Sequence, residues 1–397
     1  MYTMTKQERI NLACELSALS VFRGILNTDT MSAFLSFLNT NDDMQKKLKM
    51  LGEFVYSLSA YNYCFSDFLL ESVYTDENKY ITLAASGKII PSVLEENAKA
   101  ELALFSRLSE LDAETLHKAM DFTGYMPKFN NERIDFTEKY EERLKNIGRY
   151  GYGVFASGKM FSVSGEDIVP VKAADAISED SFIGYENERR QVFENTQALI
   201  DGRPAANVLL FGDAGTGKSS TVKACVNRFA DQGVRLIELR KDQIFSLPYI
   251  MGRIADNPLK FIIFIDDLSF NKNDDSFSML KAALEGSASA KAKNAVIYAT
   301  SNRRHIVKES FSDRGQADDI HHNDTVQELM SLSDRFGLTV YFEKPNKRLY
   351  LDIVHKLADK NGITVERQEL DIQAEAFALN KGGRSPRAAE QFINSLI

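Results

Sequence analysis

The sequence predicts an α/β domain of three layers, preceded by a mainly helical region and followed by a small helical one. Three observations carry this. Short apolar runs at 207–211, 235–239, 260–265, 295–299 and 338–342 alternate with segments of helical character, the pattern of parallel strands joined by right-handed crossovers. The first of these runs stops at a glycine-rich loop that opens an amphipathic helix. On both flanks, apolar residues recur at helical spacing instead.

Residues 1–150 are expected to form a helical domain. Leu12, Leu16 and Leu19 share one face, as do Leu48, Leu51 and Val55, and Leu94, Ala98, Leu102 and Phe105 repeat the pattern. Polar or Gly/Pro-containing stretches at 39–43, 75–79, 87–91 and 124–127 separate the segments. Such a domain either binds an unidentified protein partner or supports the rest of the chain. Between 151 and 175 the composition shifts to Gly, Ser and β-formers, which reads as a linker or β-hairpin, with Ser157-Gly158 able to turn it. Gly151 and Gly153 make only a weak glycine motif, because no helix follows. The α/β domain is expected over 176–343. Over 344–397 the pattern is helical again, with Tyr350, Val354 and Leu357 on one face and Ile372, Ala376 and Leu379 on another.

Composition fits an ordinary globular chain. Of 397 residues, 44% are hydrophobic and 26% charged. A formal charge of -8 gives no support to a chain that coats nucleic acid or anionic membrane by bulk electrostatics, although a local basic patch remains compatible with it. Cys14, Cys64 and Cys225 are odd in number and far apart, which argues against a disulfide framework. The first ten residues are charged where a signal peptide needs an apolar core, and no apolar run approaches membrane length. A cytoplasmic setting without membrane partners is the expectation.

The loop after the first strand carries the most specific chemistry. In Gly212-Asp213-Ala214-Gly215-Thr216-Gly217-Lys218-Ser219-Ser220, the residues Gly212, Gly217, Lys218 and Ser219 match the phosphate-binding pattern without a mismatch. Glycines let backbone N–H groups curl around phosphate oxygens, the helix that follows points its positive end at them, Lys218 reaches the outer phosphates, and the Ser219 hydroxyl is a magnesium ligand. A second signature is the run Phe261-Ile-Ile-Phe-Ile-Asp266-Asp267. A buried strand that delivers adjacent carboxylates needs a positive partner. Asp266 is expected to hold a nucleotide-bound magnesium, usually through water, and Asp267 to polarise the attacking water as general base. Asn302, in Ala-Thr-Ser-Asn after the fourth strand, can orient water or touch the γ-phosphate only if its strand lies between the other two.

These residues resemble the AAA+ class of ATPases: Walker A at 212–219, Walker B at 261–267, a sensor-one Asn302, an arginine-finger segment Leu332-Ser-Asp-Arg335-Phe336, and a sensor-two segment Gly383-Arg384-Ser-Pro-Arg387 occur in the expected order. Over roughly 150–397 the chain looks similar to a bacterial family of predicted ATPases recorded as a domain of unknown function. The resemblance implies a five-stranded parallel sheet of order 5-1-4-3-2 with a C-terminal helical lid. It further implies Arg335 as a finger offered to a neighbouring subunit of a homo-oligomer, Arg387 or Arg384 as the lid arginine, and Phe182, Ile183 and Tyr185 as lining for an adenine pocket. Most AAA+ chains end Walker B in Asp-Glu. The shorter Asp267 predicts slow turnover.

The expected function is therefore an ATP-binding, Mg2+-dependent hydrolase that uses nucleotide to change conformation or assembly and acts on a macromolecule. The alternative is a nucleotide-gated switch or scaffold with negligible turnover. Asn271-Lys-Asn-Asp274 fits a guanine-reading pattern, but it follows the carboxylates by only a few residues, where such a motif does not belong. His321 and His322 sit in an Asp-rich polar loop and make a poor metal site.

Overall fold

A computed structural model describes residues 4–40, 43–118, 120, 122–171, 182–268, 275–285, 292–302 and 334–397. Contacts divide the chain into two compact units, Met1–Ser157 and Gly158–Ile397.

The first unit contains the helices α1 (Lys6–Ser17), α2 (Asp29–Asn39), α3 (Met44–Ser57), α4 (Phe65–Thr75), α5 (Lys79–Ala85), α6 (Ser92–Ser109), α7 (Ala113–Lys118), α8 (Phe136–Lys145) and α9 (Ile147–Tyr150). Their starts are set locally. Thr5, Thr28, Asp43, Asn78 and Asp135 each accept a hydrogen bond from a first-turn backbone N–H, satisfying donors that a helix end leaves orphaned. Phe34, Phe54, Phe65 and Phe129 pack as a cluster with neighbouring ring centroids 4.9–5.3 Å apart along the Phe34–Phe54, Phe54–Phe65 and Phe54–Phe129 contacts. The buried Glu101 carboxylate accepts from the backbone N–H groups of Ser20, Val21 and Phe22 and so fixes the turn after α1.

The second unit is built on a seven-stranded sheet with the order β2-β1-β4-β5-β6-β3-β7. Its strands are β1 (Met160–Ser164), β2 (Asp167–Pro170), β3 (Val208–Gly212), β4 (Val234–Leu239), β5 (Lys260–Ile265), β6 (Ala295–Ser301) and β7 (Leu338–Phe342). Five strands were expected. The two additional ones come from the stretch read as a linker or hairpin: β1 pairs antiparallel with β2 and parallel with β4. The hairpin turns at Gly165-Glu166, not at Ser157-Gly158, because Gly165 supplies the left-handed φ of +63° that a two-residue turn requires. Ser157 instead closes a 3-10 turn through its N–H to the Val154 carbonyl, 3.1 Å.

β3 pairs in parallel with both β6 and β7, and β6 in turn with β5. Alternate residues face opposite sides and both sets are buried. Leu210, Val222, Phe264, Val296 and Tyr298 belong to one core together with α10 (Glu186–Ile200) and α11 (Lys218–Phe229). Leu209, Ile237, Ile263 and Ile297 point the other way and are buried too, as are Leu247, Ile250 and Ile254 of α12 (Leu247–Ile254) and Leu280 of α13 (Asp275–Glu285). Burial on both faces is why these strands read as continuous apolar runs.

After β7 come α14 (Lys347–Lys360), α15 (Arg367–Asn380) and α16 (Pro386–Asn394), which share a small core of Tyr350, Val354, Leu370, Ala374 and Phe392. Ile372 and Leu379 share a face of α15 as expected, but that face is outward, 72% and 78% exposed. The buried face is the one with Leu370, Ala374 and Ala378, whose small side chains let the neighbouring helices approach. Asn271–Asp274, Arg303, Arg304, His321 and His322 lie outside the described residues. Among those described, no helix is long and apolar enough to cross a membrane.

Gly212 ends β3 at φ +136° in register with Phe342, and a Cβ there would stand 2.1 Å from the Phe342 carbonyl oxygen. Gly212→Ala is expected to lower the unfolding free energy by at least about 2 kcal/mol. Gly217→Ala meets open space and carries only the backbone strain of its φ of +93°. Urea unfolding of both variants checks the contrast.

Candidate nucleotide site

The parallel register brings the ends of β3, β5 and β6 to the same edge of the sheet, where a cleft of about 540 Å³ opens. Its wall includes Phe182, Ile183, Tyr185, all of Ala214 to Ser220, Asp266, Asp267, Asn302 and Arg387. These sequence-predicted residues are thus brought together. Gly212 and Asp213 are not part of the wall but act from behind it, through their carbonyls. Arg384 is turned away: its guanidinium makes a two-pronged ion pair with Glu375, at 2.8 and 2.6 Å. Arg335, half-buried just before β7, is also outside the wall.

Lys218 opens α11 and is 6% exposed. Its ammonium donates to the carbonyls of Gly212 at 3.0 Å and Asp213 at 2.7 Å, and to Asn302 Oδ1 at 3.0 Å. Burial holds its pKa below the ordinary lysine value, against the opposing pull of Asp213, Asp266 and Asp267. The Asn302 amide is oriented by its two neighbours, because its Nδ2 donates to Asp267 Oδ1 at 2.9 Å. Asp266 Oδ1 accepts from Ser219 Oγ at 2.7 Å, from the Thr300 hydroxyl and from Asp267 N at 3.1 Å. Asp267 has φ +49°, a left-handed conformation unusual for a residue with a side chain.

The tip of the loop is gripped by the C-terminal helices. Arg387 N donates to the Gly215 carbonyl at 3.2 Å, and a Cβ on Gly215, at φ +76°, would press on Arg387 Cβ at 3.1 Å and Ser385 Oγ at 3.2 Å. At the other end, Tyr185 stacks on Phe342 at 5.5 Å and donates its hydroxyl to the Glu343 carbonyl at 2.6 Å. Burial raises its phenol pKa.

Sequence reasoning missed Thr300, Arg189, Ile353 and Leu357, which also line the cleft. Thr300 carried a usable signal, since on a strand it shares a face with Tyr298 and Asn302. Arg189 lies over the Phe182 ring, 4.9 Å from its centroid. The α14 pair had no signal beyond ordinary helix periodicity.

Residues 157–397 match the family described as protein of unknown function (DUF815). The chain belongs to this family. The match covers the second unit almost residue for residue, so every side chain of the cleft lies in the DUF815 segment. A comparison with curated proteins finds no match. Among solved structures, Thermotoga maritima RuvB, described as a Holliday junction branch migration motor, is similar at 16% identity and a TM-score of 0.38, over 56% of this chain and 65% of that one. A variant of the same protein gives 15% identity and 0.37, over 55% and 63%. The chain spans less than two thirds of the RuvB chains it matches.

The lowered pKa of Lys218 has a pH consequence. A lysine with a folded pKa below its unfolded one binds fewer protons in the native state over the interval between them, so stability rises with pH there. In wild type, the free energy of unfolding should climb as pH approaches 10.5 from below, the ordinary value. In Lys218→Met this contribution should be absent, as urea unfolding of both proteins across that interval would show.

Proposed function

We propose that this DUF815 chain is an ATP-binding, Mg2+-dependent AAA+ ATPase, in which α14 to α16 act as a lid and nucleotide drives a change of conformation or assembly that acts on a macromolecular partner. The observation that carries the reading is the convergence of loop residues Ala214 to Ser220, two strand-end carboxylates and Asn302 on one cleft, with Asn302 bonded to both Lys218 and Asp267. Phosphoryl transfer asks a protein mainly for positioning and charge stabilisation, and these are the groups present. Lys218 would bind the outer phosphates, Asp267 would take the proton of the attacking water, and Asn302 would orient both.

The donor set suits magnesium. Ser219 Oγ and Asp266 Oδ1 are hard oxygen donors 2.7 Å apart at the start of α11. When bound, the ion would neutralise charge on the phosphates. Phe182, Ile183 and Tyr185, with Ile353 and Leu357, give an apolar end suited to the adenine. Arg387 is favoured as the lid arginine because it stands on the cleft wall, whereas Arg384 is committed to Glu375. Arg335 would serve a neighbouring subunit of a homo-oligomer, and the N-terminal unit would meet a protein partner.

The second reading, a nucleotide-gated switch with negligible turnover, is favoured by one feature. The short Asp267 side chain is tied to Asn302 Nδ2, which restrains it from reaching a water.

Equilibrium binding of ATP tests the core of the proposal. Lys218→Ala should weaken it by roughly a hundredfold, in line with loss of a charged, phosphate-binding group. Arg387→Ala should weaken it about tenfold and Arg384→Ala far less. Full ATP affinity in Lys218→Ala would sink the reading. Single-turnover hydrolysis separates the two versions: a wild-type rate well above that of Asp267→Asn supports the ATPase, whereas equal near-zero rates support the switch. A non-hydrolysable ATP analogue should shift wild type, but not Arg335→Ala, to a larger assembly in light scattering.

A further inference from the structure

Thr300 lies near the end of β6, two residues before Asn302, and is only 2% exposed. Its hydroxyl touches both carboxylate residues: it donates to Asp266 Oδ1 and accepts from the backbone N–H of Asp267 at 2.9 Å. These directions are dictated by chemistry. A backbone N–H can only donate and an ionised carboxylate can only accept, so the single hydroxyl proton points at Asp266. The main chain of the same residue adds a third tie, since the Thr300 carbonyl accepts from Leu268 N at 2.7 Å.

The residue held in this way is one that needs holding. Asp267 sits at φ +49°, where a side chain is disfavoured. Without the Thr300 hydroxyl, its N–H would keep only Asp266 Oδ1 at 3.1 Å. Asp266 Oδ1 would at the same time lose one of its three donors. Among the described residues no group donates to Oδ2, so the orientation of the Asp266 carboxylate rests on those bonds to Oδ1.

We propose that Thr300 is a positioning residue for the nucleotide site, whose hydroxyl orients the Asp266 carboxylate and locks the left-handed turn that presents Asp267 to Asn302. The inference rests on the ATPase reading and adds to it a residue outside the phosphate-loop, carboxylate and Asn302 set. It acts through Asp266 and Asp267, to which its hydroxyl is bonded.

Three variants of the full chain test it: Thr300→Val, which keeps the shape and removes the hydroxyl, Thr300→Ala, which removes both, and Thr300→Ser, which keeps the hydroxyl. The readouts are ATP affinity in excess chelator, Mn2+ affinity of the ADP complex by electron spin resonance, and single-turnover hydrolysis. Metal-free ATP affinity should stay within about threefold of wild type, because Lys218 and the loop are untouched. Mn2+ affinity and turnover should each fall roughly tenfold or more in Thr300→Val and Thr300→Ala, and Thr300→Ser should restore both. Wild-type values for Mn2+ affinity and turnover in Thr300→Val overturn the proposal. So does failure of Thr300→Ser to restore them, which would show that the hydroxyl by itself does not carry the effect. Thermal melting reports folding, and Thr300→Ala decides the matter if Thr300→Val does not fold. If wild type turns over too slowly to measure, the Mn2+ arm decides alone. If wild type binds no ATP, the functional reading fails, a result visible before any Thr300 variant is compared.

Discussion

The Lys218 ammonium is the charge on which the arrangement of the second unit depends. A cation taken out of water has to recover its hydration from fixed acceptors. Lys218 finds them in two loop carbonyls and in Asn302 Oδ1. The first two demand that the loop curl back on its own helix, which is what the glycines at 212, 215 and 217 permit with their positive φ. The third demands that β6 lie beside β3. The same amide then holds Asp267, which demands that β5 lie on the other side of β6. One chain of hydrogen bonds, from Lys218 through Asn302 to Asp267, thereby links three adjacent strand ends, and the strand order and the chemistry of the cleft are aspects of one constraint.

The first unit has the opposite character. One of its grooves, about 890 Å³, is lined by Asp29, Glu53, Glu71, Asp76 and Glu77 with several Ser and Thr, and no Lys, Arg or His of the described residues lines it. Asp76 has its carboxyl pKa raised, first by burial and further by Glu101 and Glu77. Such a wall repels phosphate. The proposed nucleotide chemistry is thus confined to the segment that carries the family match, and the helical unit brings a separate, acidic surface to the same chain.

What could be read from the sequence follows from what each element needs. A parallel strand covered on both faces tolerates only apolar residues, so β3, β5 and β6 stood out, and the glycine and lysine spacing of 212–219 fits the phosphate-binding pattern without a mismatch. The β1–β2 hairpin was less legible because it is short and at the sheet edge, with alternating exposure in place of a continuous apolar run. Thr300 was passed over because Thr-Ser-Asn after an apolar run has the composition of a turn, whereas the strand continues to Ser301. Arg384 and Arg387 could not be told apart in one dimension: what distinguishes their surroundings is Glu375, on the preceding helix, which pairs with Arg384, while Arg387 stands on the cleft wall. Helix periodicity grouped Ile372 with Leu379 correctly, yet a period cannot say which face turns inward when small alanines on another face allow closer packing.

The linkage through Asn302 also bears on why one site supports both functional readings. The amide has one acceptor end and one donor end, and the structure uses both, on Lys218 and on Asp267. An incoming anion offers Lys218 a stronger, charge-assisted acceptor than a neutral amide oxygen. Competition for the ammonium at one end of Asn302 necessarily alters what restrains its other end, and hence Asp267. With Asp267 in a strained left-handed turn, small changes in those restraints shift its carboxylate by more than they would in regular backbone. On the proposed function, nucleotide occupancy and the placement of the base would be coupled through this single side chain. On the same reading, hydrolysis would require the short Asp267 carboxylate to reach a water once freed from the amide, and the bound, waiting state would be the outcome if it stays tied to Asn302.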